Sequence, residues 1–199
     1  AVQVQARPSP GTAAVGIDLG LKECATVSTG EKIEGRWYRG HEQALGIAQR
    51  AKKRKRARAI HAKIRNQRKD ELLQFSSALV KRNAAIFVGD VASAKLVKTK
   101  MAKSALDAGW AMLKTMLEYK SHQAGIVFEA VNENYTTQTC SCCGSIPASS
   151  PKGRAGLGIR EWVCSGCATV HDRDVNAAHS AARGTAQSPS PKESALSPS

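Results

Sequence analysis

The sequence predicts an α/β fold in which helices flank a mixed sheet and a small module built on four cysteines is inserted. Short apolar segments alternate with helical segments along most of the 199 residues, which is typical of a sheet with a parallel portion. Two C-x-x-C pairs, separated by twenty residues, indicate the inserted module. A chain of this length can form one such domain with a small appendage.

The charge of the chain indicates a polyanionic partner. The sequence has 30 Lys or Arg against 16 Asp or Glu, a formal net charge of +14. This balance favours nucleic acid; a membrane surface is the alternative, although no apolar run approaches the roughly 20 residues that span a bilayer. Paired cysteines in a reducing compartment indicate metal binding, so we expect an intracellular, cytoplasmic protein. The first residues do not resemble a signal peptide, and the missing initiator Met is consistent with a fragment or a processed product.

The N-terminal part predicts a lead-in followed by three short strands. Residues 1–12 contain Pro and Gly and are expected to be flexible. Residues 15–19 form an apolar strand with Asp18 near its end. Buried carboxylates are rare unless they are paired or bind a metal, so Asp18 is a candidate metal ligand; a capping or turn carboxylate is the alternative. The next two segments alternate like strands and meet at the turn 29–30, which predicts a three-stranded antiparallel meander.

A basic helical segment follows. Residues 41–84 contain no proline and predict a long helix or a helical hairpin. Between positions 50 and 69 there are eleven Lys or Arg and no acid, a run that repels itself unless it contacts phosphates. We interpret it as a nucleic-acid-binding surface rather than a merely solvated one. Its candidate residues are Arg50, Lys52, Lys53, Arg54, Lys55, Arg56, Arg58, Lys63, Arg65, Arg68 and Lys69.

The remaining segments complete the alternation of strands and helices. Residues 84–88 predict a buried strand, and a helix is expected from Ser104, as its N-cap, to about residue 122. Residues 126–131 predict another strand, expected beside the first strand in a parallel sheet. The composition after residue 182 predicts a disordered tail. The predicted divisions are a lead-in at 1–12, an α/β domain at 13–134 and 171–183, the cysteine module at 135–170, and a tail at 184–199.

The four cysteines predict a zinc ribbon. Cys140 and Cys143 form one C-x-x-C pair, and Cys164 and Cys167 form a second, at the long end of the usual spacing. Two tight turns can present these thiolates to one structural Zn²⁺ as a tetrahedron, with Zn–S distances of about 2.3 Å. His171 follows the second pair, and we interpret it either as a contact to phosphate or carboxylate or as a surface histidine.

An acidic pair lies between the second cysteine pair and an alanine-rich helix. Asp172 and Asp174 are two positions apart and point in different directions, so we expect one to serve a metal and the other to cap the helix or contact the ribbon. Asp18, an acid from a later strand and Asp174 are candidates to converge at one edge of the sheet. Two or three carboxylates there would hold two Mg²⁺ ions about 4 Å apart, the arrangement that hydrolyses phosphodiester bonds.

Several motifs, in the same order, resemble the C-terminal half of TnpB-type (OrfB-type) transposon-encoded proteins, relatives of the type V CRISPR effector nucleases. They are VGIDLGLKECATVSTGEKI, IRNQRKDEL, KSALDAGWAMLKTMLEYK, YTTQTCSCCG and HDRDVNAA, and they cover about residues 15–182. The resemblance implies a RuvC-like nuclease domain of the RNase H fold with an inserted zinc ribbon, which cuts DNA at sites chosen by a guide RNA. It implies that Asp18 is the first catalytic Asp and Asp174 the last. It also implies an N-terminal region, or a separate chain, that completes the effector.

The middle catalytic acid is where the sequence departs from this family. Gly89 occupies the position of the usual Glu, in a strand that would end Glu-Asp-Leu. Glu133, after the next strand, is the candidate that we place first; Asp90 is the alternative, although a neighbouring strand residue projects to the opposite face. The third hypothesis is an incomplete site in a nuclease-inactive protein that binds DNA. A purely zinc-organised interaction module would leave Asp18 unexplained.

Overall fold

The computed structural model describes residues 11–90, 108–132, 134–153 and 155–183. The predicted tail, most of the predicted lead-in, the cap Ser104 and the candidate acid Glu133 lie outside the described residues.

Two sheets and four helices make up the described elements. The main sheet contains β1 (Ala13–Asp18), β2 (Ala25–Val27), β3 (Lys32–Ile33), β4 (Asn83–Gly89) and β5 (Val127–Val131). The helices are α1 (Trp37–Arg50), α2 (Arg54–Arg82), α3 (Trp110–Ala124) and α4 (Arg173–Arg183). The small sheet pairs β6 (Glu161–Val163) with β7 (Val170–Asp172), after a 3₁₀ turn at Ala155–Gly158.

The main sheet is mixed, as predicted, and its strand order is β3-β2-β1-β4-β5. Strands β1, β2 and β3 form the expected antiparallel meander, and β4 and β5 run parallel to β1. The expectation that β5 lies beside β1 is wrong, because β4 occupies that edge of β1 and β5 pairs with β4. Since β2 occupies the other edge of β1, β4 pairs with the free edge of β1 and β5 then pairs with the outer edge of β4.

One face of the main sheet packs on α2 and α3. Val15, Ile17 and Val88 are almost completely buried and share one core with apolar side chains of the two helices. Burial of each such side chain stabilises the fold by about 2 kcal/mol. Because side chains alternate along a strand, Gly16 and Asp18 of β1 face the other side of the sheet.

Helix α4 covers that other side at very short range. Its buried residues are Asp174, Asn176, Ala177, Ala178 and Ala181. A Cβ atom added to Gly16 would lie 1.8 Å from the carbonyl oxygen of Ala178, so only glycine permits this approach. The small side chains of both surfaces therefore bring the helix backbone against β1, and Asp174 lies one helical turn before the point of contact.

Helices α1 and α2 form the predicted helical hairpin, although α1 begins at Trp37 rather than near residue 41. Lys52 makes the turn between them with a φ of 52°. The second half of α2 is buried through side chains such as Leu72 and Leu79, whereas its basic first half is largely exposed. The apolar half anchors the hairpin on the sheet, and the basic half projects from it.

Helix α3 starts at Trp110, and the predicted N-cap Ser104 lies outside the described residues. Gly109 precedes it with a φ of 67°, a left-handed conformation that glycine adopts without strain. The helix ends at Gly125, again in the left-handed conformation, as expected for a glycine that follows a helix. Within the described parts of the chain, no helix is long and apolar enough to cross a membrane.

Candidate functional site

The four cysteines form one cluster. Their Sγ atoms all lie within 4.8 Å of one another. The Sγ atoms of Cys140 and Cys167 are 3.6 Å apart, and those of Cys143 and Cys164 are 3.8 Å apart. Four thiolates that surround one Zn²⁺ as a tetrahedron, each about 2.3 Å from the metal, are about 3.8 Å from each other. The cluster therefore fits a structural zinc ion, as the paired spacing predicted.

The two C-x-x-C turns have the same backbone structure. In the first turn the N–H of Gly144 donates to the carbonyl oxygen of Cys140 at 2.8 Å, and in the second the N–H of Ala168 donates to that of Cys164 at 2.8 Å. Gly144 and Ala168 both have a positive φ, 77° and 59°. A left-handed residue thus closes each turn, and this closure directs both thiols of each pair towards the same point.

The thiols of the cluster differ in acidity when no metal is bound. Burial raises the pKa of Cys140 to about 12. Hydrogen bonds from the side chain and backbone of Thr169 lower the pKa of Cys167 to about 6. Since zinc binds thiolates, uptake of the metal displaces a proton more readily from Cys167 than from Cys140.

His171 is part of the cysteine cluster, which corrects its interpretation as a surface histidine or a phosphate contact. Its side chain is buried, and its Nε2 atom lies 3.0 Å from the Sγ atom of Cys140. Its ring packs on that of Trp162, with 4.8 Å between the centroids. Strand β7, which contains this histidine, connects the second cysteine turn to the start of α4.

Asn176 connects the first cysteine turn to α4. The residue is buried, and its Oδ1 atom accepts a hydrogen bond from the N–H of Ser141 at 2.8 Å. Its Nδ2 atom donates to the carbonyl oxygens of Thr139 at 2.8 Å and Thr136 at 3.2 Å. One side chain therefore fixes both the approach to the cysteine turn and the turn itself on the helix that carries Asp174.

Asp172 caps α4. Its Oδ1 atom accepts hydrogen bonds from the N–H groups of Asp174 and Val175 at 3.0 and 2.9 Å, as an N-cap carboxylate does. Burial alone would raise the pKa of Asp172, but the hydrogen bonds from Val175 and Lys32 outweigh it and hold the pKa below its ordinary value. Of the two acids in the Asp-Arg-Asp motif, this one has the capping role.

The start of α4 lies near a row of cross-strand neighbours in the main sheet that runs from Asp18 to Lys32. Asp18 pairs with Thr26, and Thr26 pairs with Lys32 on the edge strand. The Nζ atom of Lys32 lies 3.3 Å from the Oδ2 atom of Asp172. This ion pair positions the first turn of α4 on the face of the sheet to which Asp18 belongs.

On the other side of Asp18 the row continues into β4. The register of the two strands puts Gly89 at the level of Asp18. The next residue, Asp90, turns to the opposite face, where its carboxylate pairs with Lys114 of α3. Asp18 therefore lies next to a residue without a side chain, and Asp90 lies on the side of α3 instead.

Asp174 is buried and held by two arginines. Arg160 donates from Nη1 to the Oδ2 atom of Asp174, and Arg173 donates from Nε and Nη2 to the Oδ1 atom at 3.2 Å. The guanidinium groups stabilise a carboxylate charge that burial would otherwise disfavour. Sequence reasoning missed Arg160, because it belongs to none of the recognised motifs and reaches Asp174 only through the fold of the ribbon.

The structure thus brings the four predicted cysteines together and locates the predicted acids on different elements. The helix that carries Asp174 lies on the face that carries Asp18, beside Gly89. Asp90 is on the opposite face, and Glu133 lies outside the described residues. The helical hairpin exposes ten of its eleven candidate basic residues, while Arg68 is half-buried.

Two family models match the chain. Residues 1–100, half of the chain, match the IS605 OrfB family, described as "Probable transposase". Residues 110–180 match the "Cas12f1-like, TNB domain".

Two curated proteins are similar to this chain in sequence. A "Putative RNA-guided DNA endonuclease" of Streptomyces pristinaespiralis is 36% identical over 187 residues, which cover 86% of this chain and 45% of that protein. A "Putative RNA-guided DNA endonuclease InsQ" of Escherichia coli K12 is 26% identical over 164 residues, with 68% of this chain and 41% of that protein covered. The chain therefore spans less than half the length of these relatives.

Solved structures with the same fold include two Cas12f complexes. One is described as a Cas12f1-sgRNA-target DNA complex and has a TM-score of 0.61 at 18% identity, covering 86% of this chain and 50% of that one. The other, a CRISPR-Cas12f ternary complex, has a TM-score of 0.61 at 17% identity and covers 92% and 40% of the two chains. At this level of identity the likeness establishes the fold.

Proposed function

The chain belongs to the TnpB family of OrfB-type transposon-encoded proteins, and from this premise we propose that it is the RuvC-type nuclease module of an RNA-guided DNA endonuclease. The observation that supports the proposal is the arrangement around β1: Asp18 ends this central strand, and α4, whose first turn carries Asp174, packs against the strand at Gly16. The names of the two curated relatives support it. Nuclease activity, its substrate DNA and its guide RNA are part of this proposal.

Asp18 and Asp174 would hold catalytic Mg²⁺, because carboxylate oxygens are the protein ligands that this ion prefers. When bound, the ions supply an activated water and stabilise the leaving oxygen of the phosphodiester. The protein's own residues orient the ligands: Lys32 pairs with Asp172 at the start of α4, and Arg160 and Arg173 balance the charge of Asp174.

For the middle acid we propose Glu133, which follows β5. Asp90 is less suitable, because its carboxylate pairs with Lys114 on the opposite face. Gly89 lies between the end of β5 and Asp18 and brings no carboxylate of its own, so the proposed acid comes from the segment after β5. The nuclease-inactive alternative corresponds to a chain in which neither acid completes the site.

The basic hairpin is the proposed surface for guide RNA and target DNA. Its exposed Lys and Arg side chains extend along α2 without an acid between positions 50 and 69. We further propose that residues 13–134 and 171–183 form the nuclease domain and residues 135–170 the zinc ribbon. An N-terminal region or a separate chain completes the effector, in line with the length of the relatives.

Cleavage of labelled DNA in Mg²⁺, with guide RNA present, tests the proposal. We expect Asp18→Asn to lower the cleavage rate about a hundredfold or more, and Glu133→Gln to do the same, whereas Asp90→Asn leaves most of it. If the chain alone is inactive, the assay is repeated with the N-terminal half of the Streptomyces relative supplied.

The assay also separates the alternatives. DNA that is bound but never cut, even by Gly89→Glu with the N-terminal half present, would identify a nuclease-inactive binder. Full cleavage by Asp18→Asn would overturn the assignment of the metal site. Full cleavage by Glu133→Gln, together with loss of cleavage by Asp90→Asn, would identify Asp90 as the middle catalytic acid.

A further inference from the structure

A pocket of about 480 Å³ lies between the end of β5, the first cysteine turn and α4. Neither the zinc site nor the carboxylates of the proposed nuclease site account for it. Its lining includes Asn132, Tyr135, Ser141, Ser180 and Arg183. One of the lining residues is an arginine, which offers positively charged donors to a ligand with acceptor groups.

Tyr135 is one of the residues that line this pocket. Its side chain is 63% exposed, which is unusual for an aromatic residue that folding could have buried. Its backbone has a φ of 64°, a left-handed conformation that costs a bulky residue about 1 kcal/mol or more. An exposed aromatic side chain held in a strained conformation is the kind of feature that binding, rather than folding, explains.

The backbone of Tyr135 is fixed despite this strain. Its carbonyl oxygen accepts hydrogen bonds from the N–H of Gln138 at 2.9 Å, the N–H of Thr139 at 2.8 Å and the hydroxyl of Thr139 at 3.0 Å. Thr139 is in turn bound by Asn176 of α4. The ring is therefore presented from a rigid turn, and a planar ligand that stacks on it meets a preorganised surface.

The groups around the ring match an unpaired nucleotide. Side-chain amides and hydroxyls, such as those of Asn132 and Ser141, offer donors and acceptors for the edge of a base. Arg183, whose Nη1 atom donates to the carbonyl oxygen of Cys142 at 3.3 Å, adds positive charge for a phosphate. An aromatic platform with adjacent positive charge is how proteins hold single-stranded nucleic acids.

The pocket also adjoins the carboxyl edge of the sheet. Val131, one of its lining residues, pairs with Gly89, which lies at the level of Asp18. The N–H of Asp90 donates to the carbonyl oxygen of Val131 at 2.8 Å and fixes the two strand ends to each other. A nucleotide in the pocket would thus be a neighbour of the nucleotides that cross the proposed nuclease site.

We propose that this pocket binds one unpaired nucleobase, stacked on Tyr135, of the strand that passes the carboxyl edge of the sheet. The inference deepens the proposed function and rests on it for the identity of that strand. The same chemistry could hold a base of single-stranded DNA or of RNA, and the test distinguishes the two.

The probe is a single-stranded oligonucleotide with one 2-aminopurine, whose fluorescence falls when it stacks, titrated without Mg²⁺ so that no cleavage occurs. We expect quenching by the native chain and by Tyr135→Trp. Tyr135→Gly should lose the quenching and about tenfold in affinity, the equivalent of one stacked base. The same substitution relieves the left-handed strain, so its melting temperature should be unchanged or higher.

A loss of affinity without a loss of thermal stability in Tyr135→Gly excludes a merely structural role for the ring. Tyr119→Ala, at an exposed tyrosine of α3, is the control and should bind like the native chain. Native affinity in Tyr135→Gly, or an equal loss in Tyr119→Ala, would overturn the proposal. DNA and RNA probes of the same sequence identify the strand by which of them shows Tyr135-dependent quenching. Because the assay needs no cleavage, an inactive chain that still shows this quenching would refute the nuclease and not the pocket.

Discussion

The Nε2 atom of His171 lies 3.0 Å from the Sγ atom of Cys140, a completely buried thiol of the cysteine cluster. An imidazole N–H directed at a metal-bound thiolate stabilises the negative charge of the sulfur and fixes its orientation. The packing of the ring on Trp162 holds the imidazole in place. His171 is thus a supporting partner of the zinc site rather than one of its four ligands.

Replacement of His171 by Phe should accelerate loss of zinc. Phenylalanine keeps an aromatic ring against Trp162 but removes the N–H, and loss of such a supporting hydrogen bond lowers metal affinity by about 10- to 100-fold. The rate of zinc transfer to a colorimetric chelator measures the effect. His179→Phe, at an exposed histidine of α4, is the control. Equal release rates for the two variants would contradict the assigned contact.

Removal of zinc should loosen α4 as well as the ribbon. Asn176 binds the first cysteine turn through Ser141 and Thr139, so disorder of that turn removes partners of a buried amide on the helix. We expect Cys164→Ser to lose zinc, to increase hydrogen exchange in α4 and to weaken Mg²⁺ binding. Unchanged Mg²⁺ affinity in the zinc-free protein would show that the ribbon and the acidic edge are independent.

The cap of α4 should make a pH-dependent contribution to stability. Asp172→Ala removes the acceptor for two helix N–H groups and should lower the free energy of unfolding by about 1 kcal/mol, whereas Asp172→Asn, also a good N-cap, should lose less. The folded pKa of Asp172 is depressed, so its stabilisation is complete above the unfolded pKa of about 4 and is lost as pH falls through the lower folded value. Urea unfolding at neutral and acidic pH checks this: a difference between native chain and Asp172→Ala that grows towards acidic pH would contradict the assignment.

The contact between β1 and α4 should tolerate no side chain at Gly16. A Cβ atom there would lie 1.8 Å from the carbonyl oxygen of Ala178, so Gly16→Ala should destabilise the fold by about 3 kcal/mol. Gly40→Ala is the control: this glycine is exposed in α1, a Cβ atom has open space, and stability should rise by up to about 1 kcal/mol. Thermal unfolding of both variants suffices, and similar effects at the two glycines would refute the described contact.

Much of the fold could be predicted because its signals are local. The alternation of residues 15–19 indicates a strand on its own, and the spacing of Cys140 and Cys143 needs no knowledge of the rest of the chain. The charge of the hairpin likewise follows from its composition. The order of the strands was harder, because the place of β5 beside β4 depends on which edge of β1 is already occupied.

The partners of the site could not be predicted, because they depend on contacts between distant parts of the chain. Arg160 meets Asp174 only after the ribbon has folded, and Lys32 meets Asp172 across 140 positions. For His171 the sequence left two interpretations, a contact to phosphate or carboxylate and a surface histidine, because the strand that buries it becomes visible only with its partner β6. The left-handed backbone of Tyr135 has no signature in a sequence without a glycine at that position.

The Nδ2 atom of Asn176 donates a hydrogen bond of 3.2 Å to the carbonyl oxygen of Thr136. The forty positions from one residue to the other contain the entire cysteine module, yet its entry and its exit are side by side. The module therefore leaves and rejoins the rest of the fold at one place, and no strand of the main sheet passes through it.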